Sequence, residues 1–251
     1  MITFESVPIY SFYFFSPGSK LEVSSEILEK MLSSFKDTDL LPTTRAEFIF
    51  EPQLGQQPQM RTQQQIHLIS KKNDWSIEFD IDRINFSKNN TNGEYSKSAS
   101  IFMEEVVDFS KRLESISTLH GHRLSYVTKG ILPSMPSAKL DEICIKLFNL
   151  PRFYVDNPPV EWSTKNVARS SFSIGNRDEI INVITDINRI QGLLQGKDGI
   201  KPFDRIEISF DINTFQNDTS KRFSVNEIEP FLKNSILLSD QLLDDISESI
   251  I

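Results

Sequence analysis

Ile77-Glu78-Phe79-Asp80-Ile81-Asp82-Arg83-Ile84-Asn85-Phe86 and Ile206-Glu207-Ile208-Ser209-Phe210-Asp211-Ile212-Asn213-Thr214-Phe215 are near repeats of one another, set roughly half a chain apart. In each, apolar and polar side chains alternate, which is the period of a strand with one buried face. Each is followed by polar turn residues and then a helical apolar stripe. The pair therefore predicts two copies of one unit, an antiparallel β-meander followed by a long amphipathic helix.

Working outward, Ile2–Phe15 reads as a strand that Pro8 interrupts, pointing to an edge or a bend. Ser24 or Ser25 caps a helix through Ser34 on the spacing of Ile27, Leu28, Met31, Leu32 and Phe35. Strands are expected at Arg45–Phe50, Gln65–Ser70 and Asp74–Phe86. The glutamine-rich stretch from Gln53 to Gln65 reads as a connecting loop, and Asn89-Asn90-Thr91-Asn92-Gly93 as a second one. A helix over Ser98–Ser117 buries Phe102, Val106, Phe109, Leu113 and Ile116, and a strand runs from Arg123 to Leu132. Pro133-Ser134-Met135-Pro136-Ser137 marks a boundary between an N-terminal half, 1–132, and a C-terminal half, 133–251.

The second half opens with a helix over Ala138–Asn149. Strands follow at Trp162–Ile174, Ile180–Leu194 and Arg205–Phe215, with a hairpin turn at Gly196-Lys197-Asp198-Gly199. A C-terminal helix over Ser224–Ser249 starts on a capping box of Ser224 and Glu227, and Pro230 falls in its first turn. Runs of strands followed by helices define the α+β class.

Composition narrows the function classes. The 251 residues include 35 acidic and 27 basic side chains, a formal charge of −8, so the global field repels nucleic acid. Lys71, Lys72, Lys97, Lys111, Arg112, Arg123 and Lys129 are scattered and read as solvated surface. No apolar run reaches the ~20 residues of a membrane span, and Tyr10–Phe15 lacks the basic flank of a signal peptide, so a cytoplasmic address is expected. The single cysteine, Cys144, stands among Ile143, Ile145 and Leu147 and reads as a packing residue. Neither a dinucleotide-binding glycine fingerprint, a phosphate loop nor a nucleophile elbow is present, and no cofactor is expected.

Two constellations bear on chemistry. Asp80-Ile81-Asp82, Asp186-Ile187-Asn188 and Asp211-Ile212-Asn213 place oxygen ligands two apart, on one face of a strand, where a hard cation is held. The competing reading puts Phe79, Ile81, Phe210 and Ile212 in the core and the acids on the wet face of a one-sided sheet. By the same alternation, Arg83 and Arg189 fall on the side away from the acids. His120-Gly121-His122 reads as the termination of a helix, with Gly121 as its C-cap.

Asp82-Arg83-Ile84-Asn85-Phe86-Ser87, Tyr95, the Phe-rich helix, Arg123-Leu124-Ser125-Tyr126-Val127-Thr128, Ile208–Phe215 and the terminal helix resemble, in that order, an uncharacterised and sporadically distributed prokaryotic family. Thr128 stands where that family usually has Asn, and Asn213 where it often has Asp. The resemblance transfers no catalytic residue. Its patchy distribution implies, by analogy, a mobile-element or phage-defence setting.

The expectation is a non-catalytic protein-binding accessory, inhibitor or antitoxin-like component of a prokaryotic defence or toxin system. Its partner is another protein encoded nearby. Direct non-specific nucleic-acid binding and membrane association are not expected, and the oligomeric state is left open. The alternative is a metal-dependent nuclease or phosphoesterase using Asp80, Asp82 and Asp211 with His120 or His122.

Overall fold

The computed structural model describes residues 3–51, 59–89, 99–196 and 199–250. In chain order come β1 (Ser6–Phe15), α1 (Ser25–Ser34), β2 (Leu40–Glu51), β3 (Gln59–Ser70), β4 (Trp75–Phe79), β5 (Arg83–Asn89) and α2 (Ala99–Glu114). Then follow β6 (Arg123–Ile131), α3 (Ser137–Leu147), α4 (Arg152–Asp156), β7 (Trp162–Ile174), β8 (Arg177–Gly196), β9 (Gly199–Thr214), a 3-10 turn (Val225–Glu227) and α5 (Ile228–Ile250).

Among the described residues, nine strands form a single sheet in the order β2-β3-β4-β5-β1-β6-β9-β8-β7, every pair antiparallel. The helices that contribute to the core, α1, α2, α3 and α5, pack on one face. Tyr10, Phe12 and Phe14 of central β1 point into that layer and are at most 5% exposed. Tyr10 stacks on Phe102 of α2 and Phe102 on Trp75 of β4, both at 5.3 Å between ring centroids, while Phe12 reaches Phe231 of α5 at 6.2 Å. Such ring pairs add about 0.5–1.5 kcal/mol each beyond the area they bury. A second cluster joins Leu140 and Ile143 of α3 to Ile187, Ile206, Ile208 and Phe210. α5 spans both, with Phe231 and Leu232 in the first and Leu243 and Ile250 in the second.

The two-copy architecture is corrected by this topology. The strand β6 follows α2 before residue 132, and it pairs along its length with β9 of the other half, from Ser125↔Asn213 to Ile131↔Glu207. Among the described residues only α5, of 23 residues, is a long helix; α2 has 16. The two look-alike stretches also fold differently. Residues 206–214 are an interior strand, whereas 77–86 is a hairpin, β4-turn-β5, closed by Asp80 N–H donating to Arg83 C=O at 2.8 Å.

The reason lies in what meets the backbone. The carbonyls of Asp80, Ile81 and Asp82 accept from Ser19 Oγ (2.8 Å), Gly18 N–H (3.0 Å) and Ser16 N–H (2.8 Å), so the loop after β1 satisfies the turn. Around Asp211-Ile212-Asn213 the ladders to β6 and β8 do so instead. Ile81, expected in the core, is consequently 74% exposed, while Phe79 beside it is 1% exposed.

Smaller differences share this origin. Pro8 lies not on an edge but at a register shift between Ser6 and Ile9 in the central strand, where its missing N–H breaks no regular ladder. Residues 59–65 of the glutamine tract are strand, paired with β2, while 52–58 lie outside the described residues. The Asn90–Gly93 part of the second loop, Tyr95, Lys97, Ser98, Lys197 and Asp198 also lie outside them. The Ser224–Glu227 capping box is present, with Ser224 N–H donating to Glu227 Oε2 at 2.7 Å. Cys144 is fully buried, and burial pushes its thiol pKa up.

Candidate functional site

Strand alternation that sends Tyr10, Phe12 and Phe14 inward sends Ser11, Tyr13 and Phe15 to the other face of the sheet. Register then sets their neighbours. Tyr13 lies between Asn85 of β5 and Ser125 of β6, and Ser125 leads on to Asn213 of β9 and Asn182 of β8. Phe15 lies between Arg83 and Arg123.

At one end of the central strands on this face, Arg83 sits 5.5 Å from the Tyr13 ring centroid, and Arg123 sits 4.7 Å from that of Phe15. The two rings are 6.3 Å apart, and His122 meets Phe15 edge-on at 6.2 Å. Burial lowers the Arg123 pKa, Asp211 acts against that, and Arg83 adds to the lowering. Towards β9, Asp211 Oδ1 accepts from Ser125 Oγ and Asn213 Nδ2, both at 3.0 Å, and Asn182 Nδ2 donates to Asn213 Oδ1 at 3.1 Å. Towards β4, Ser11 and Ser87 hydroxyls are 3.1 Å apart, Ser87 donates to Asn85, and Asn85 donates to Glu78. The face thus joins an ordered polar lattice to an Arg-aromatic cluster at the strand ends.

The acids and histidines singled out above fall in different places. Asp80 is in the β4–β5 turn, bonded by Arg83 Nε at 3.0 Å, so Arg83 is beside an acid and not away from it. Asp211 is on β9, four ladder steps away, which at ~4.8 Å per step is about 19 Å. Asp82 and Asp218 act electrostatically on His122, whose pKa is lowered first by burial and then by Arg222 and Arg123. His122 Nδ1 is buried without a partner. His120 lines a separate cavity with Lys221. Among the described residues, no three His, Cys, Asp or Glu side chains gather closely enough to hold a metal ion.

His120–His122 also lies beyond the end of α2, at Glu114, so Gly121 is not its C-cap. Gly121 instead bridges to Phe223, each N–H donating to the other's carbonyl at 2.8 and 2.9 Å. A Cβ there would come within 2.8 Å of Phe15 O. Arg189, read as facing away from acids, is a buried hub that donates to Asp204 at 2.9 and 3.0 Å, Asp141 at 2.8 Å and Pro159 C=O at 3.1 Å.

Tyr13, Phe15 and Arg83 were not legible as a site. A signal existed in Phe12-Tyr13-Phe14-Phe15, where aromatic residues at both parities mark a strand with apolar surface on both faces.

Fold and face together describe a one-sheet α+β protein whose side opposite the helices carries a built polar and aromatic surface. No protein-family model matches the chain, and no curated protein matches it. Among the described residues no helix is long and apolar enough to cross a membrane.

Proposed function

We propose that this protein is a non-catalytic binding component that docks a partner protein on the face of its sheet opposite the helices. The observation that carries the reading is the Arg83–Tyr13–Phe15–Arg123 cluster. Arginine and tyrosine are over-represented among side chains that dominate binding energy at protein interfaces. Here Asp80 holds Arg83 through its Nε at 3.0 Å and the Tyr13 and Phe15 rings sit 6.3 Å apart, so little side-chain entropy is lost on docking. The acidic balance, 35 acidic against 27 basic residues, favours association with a basic partner and disfavours nucleic acid. The resemblance of its motif segments to a sporadically distributed prokaryotic family supports an accessory or inhibitor role in a defence or toxin system, with the partner encoded nearby.

Co-expression of the chain with each neighbouring gene product, followed by affinity co-purification and titration calorimetry, tests the proposal. One product is expected to bind the wild type, with Tyr13→Ala and Arg83→Glu each weakening it at least 10-fold. A chain that binds none of them, or a complex indifferent to both substitutions, overturns it.

A further inference from the structure

We infer that the cavity beneath the end of α2 is a binding site for a small organic monocarboxylate, one carboxyl group on a single aromatic ring or a short branched aliphatic chain. Its volume is about 280 Å³, near the lower end of ligand-binding cavities. The floor is apolar and buried, with Phe79 and Ile84 at 1%, Leu113 at 2% and Leu119 at 5% exposure. The mouth is polar and exposed, formed by Ser117, Thr118, His120 and Lys221.

Among the described residues no aspartate or glutamate lines the cavity, although acids outnumber bases 35 to 27 in the chain. Among the described residues, no ion pair engages Lys221 and no side-chain hydrogen bond engages Ser117 or Thr118. An apolar body would displace water from the floor while its carboxylate meets an ammonium and two hydroxyls. The C-terminal end of α2 carries a partial negative charge that opposes an anion, so the full charge of Lys221 must dominate.

The walls are already in place without a ligand. Ser16 Oγ donates to His120 C=O and Ser19 Oγ to Asp80 C=O, both at 2.8 Å, tying the loop after β1 to the opposite rim and to the β4–β5 turn. Gly18 holds φ at +80°, which only glycine adopts without strain. The Gly121–Phe223 bridge brings His120 and Lys221 to one rim. A preorganised cavity loses little conformational freedom on binding.

Ligand-observed NMR titration of the purified chain tests this, with benzoate and 4-methylpentanoate as probes and benzamide and 4-methylpentanamide as uncharged counterparts. Saturable one-to-one binding of at least one carboxylate is expected, with its amide at least 10-fold weaker. Lys221→Met should lower the carboxylate affinity at least 10-fold, and Ser117→Trp, at the exposed mouth, should abolish it. Absence of saturable carboxylate binding, equal binding of acid and amide, or an unaffected Lys221→Met variant overturns the assignment. The chain alone gives the readout, so the result is independent of partner docking.

Discussion

The guanidinium of Arg222 directs its Nε–H at both carboxylate oxygens of Glu179, at 3.0 and 3.1 Å, with the two side chains only 4% and 11% exposed. The pair clamps the 215–223 loop to the start of β8. Arg222 also donates to Phe215, Asp218 and His122 carbonyls, so one side chain ties its own loop to the segment before β6. Removing one member leaves a buried charge without its partner. Arg222→Met should cost about 3–5 kcal/mol in urea unfolding, and Arg222→Met/Glu179→Gln should recover part of that. A single substitution that costs no more than an ordinary surface change would show that the clamp does not hold the loop.

Gly121→Ala should destabilise through overpacking. The new Cβ would meet Phe15 O at 2.8 Å and the Phe14 ring at 2.9 Å, both fixed in the central strand. A loss of about 1–3 kcal/mol is expected, with faster amide exchange at Gly121 and Phe223, whose mutual bonds must lengthen. Unchanged stability would mean that this bridge yields easily.

Tyr10 supplies a pH test on the alkaline side. Burial, and secondarily Asp240, push its phenol from 10 up to about 12. The fold favours the neutral phenol, so the stability linked to it is complete below pH 10 and is lost as pH rises towards 12. Tyr10→Phe should therefore flatten the fall of urea-unfolding stability across that range. Equal slopes in wild type and variant would place the alkaline sensitivity elsewhere.

Arg189 joins β8 and β9 to α3 and to Pro159 while 3% exposed. Its hydrogen bonds to Asp204 are the main reason that acid is held below the usual carboxylate range. Both acids keep about a third of their surface in water, 29% for Asp141 and 33% for Asp204, so the expected loss for Arg189→Met is about 1–3 kcal/mol. Hydrogen exchange should accelerate at least 10-fold over residues 137–160 and remain unchanged in β1. Uniform acceleration through the sheet would argue against a local hub.

Local signals in the chain carried most of the element types and the α+β class. Periodicity placed the stripe of Phe102, Val106, Phe109 and Leu113 on α2, and the Ser224–Glu227 pair marked the approach to α5. These readings succeeded because helix periodicity and capping depend on residues within a few positions of each other. His120 entered as a candidate residue, but its cavity did not, since the walls come from segments more than a hundred positions apart.

What the amino-acid order settled, then, is the helical stripes of α2 and α5 and most of the extended segments, whose signals lie within a few residues. Whether Asp80-Ile81-Asp82 turns or Asp211-Ile212-Asn213 runs straight was left to tertiary structure, since the same alternating pattern suits both. The choice depends on what satisfies the backbone carbonyls, the Ser16–Ser19 loop for the first and two neighbouring strands for the second. The same long-range pairing joined both halves into one sheet and set Arg83 and Arg123 on either side of Phe15.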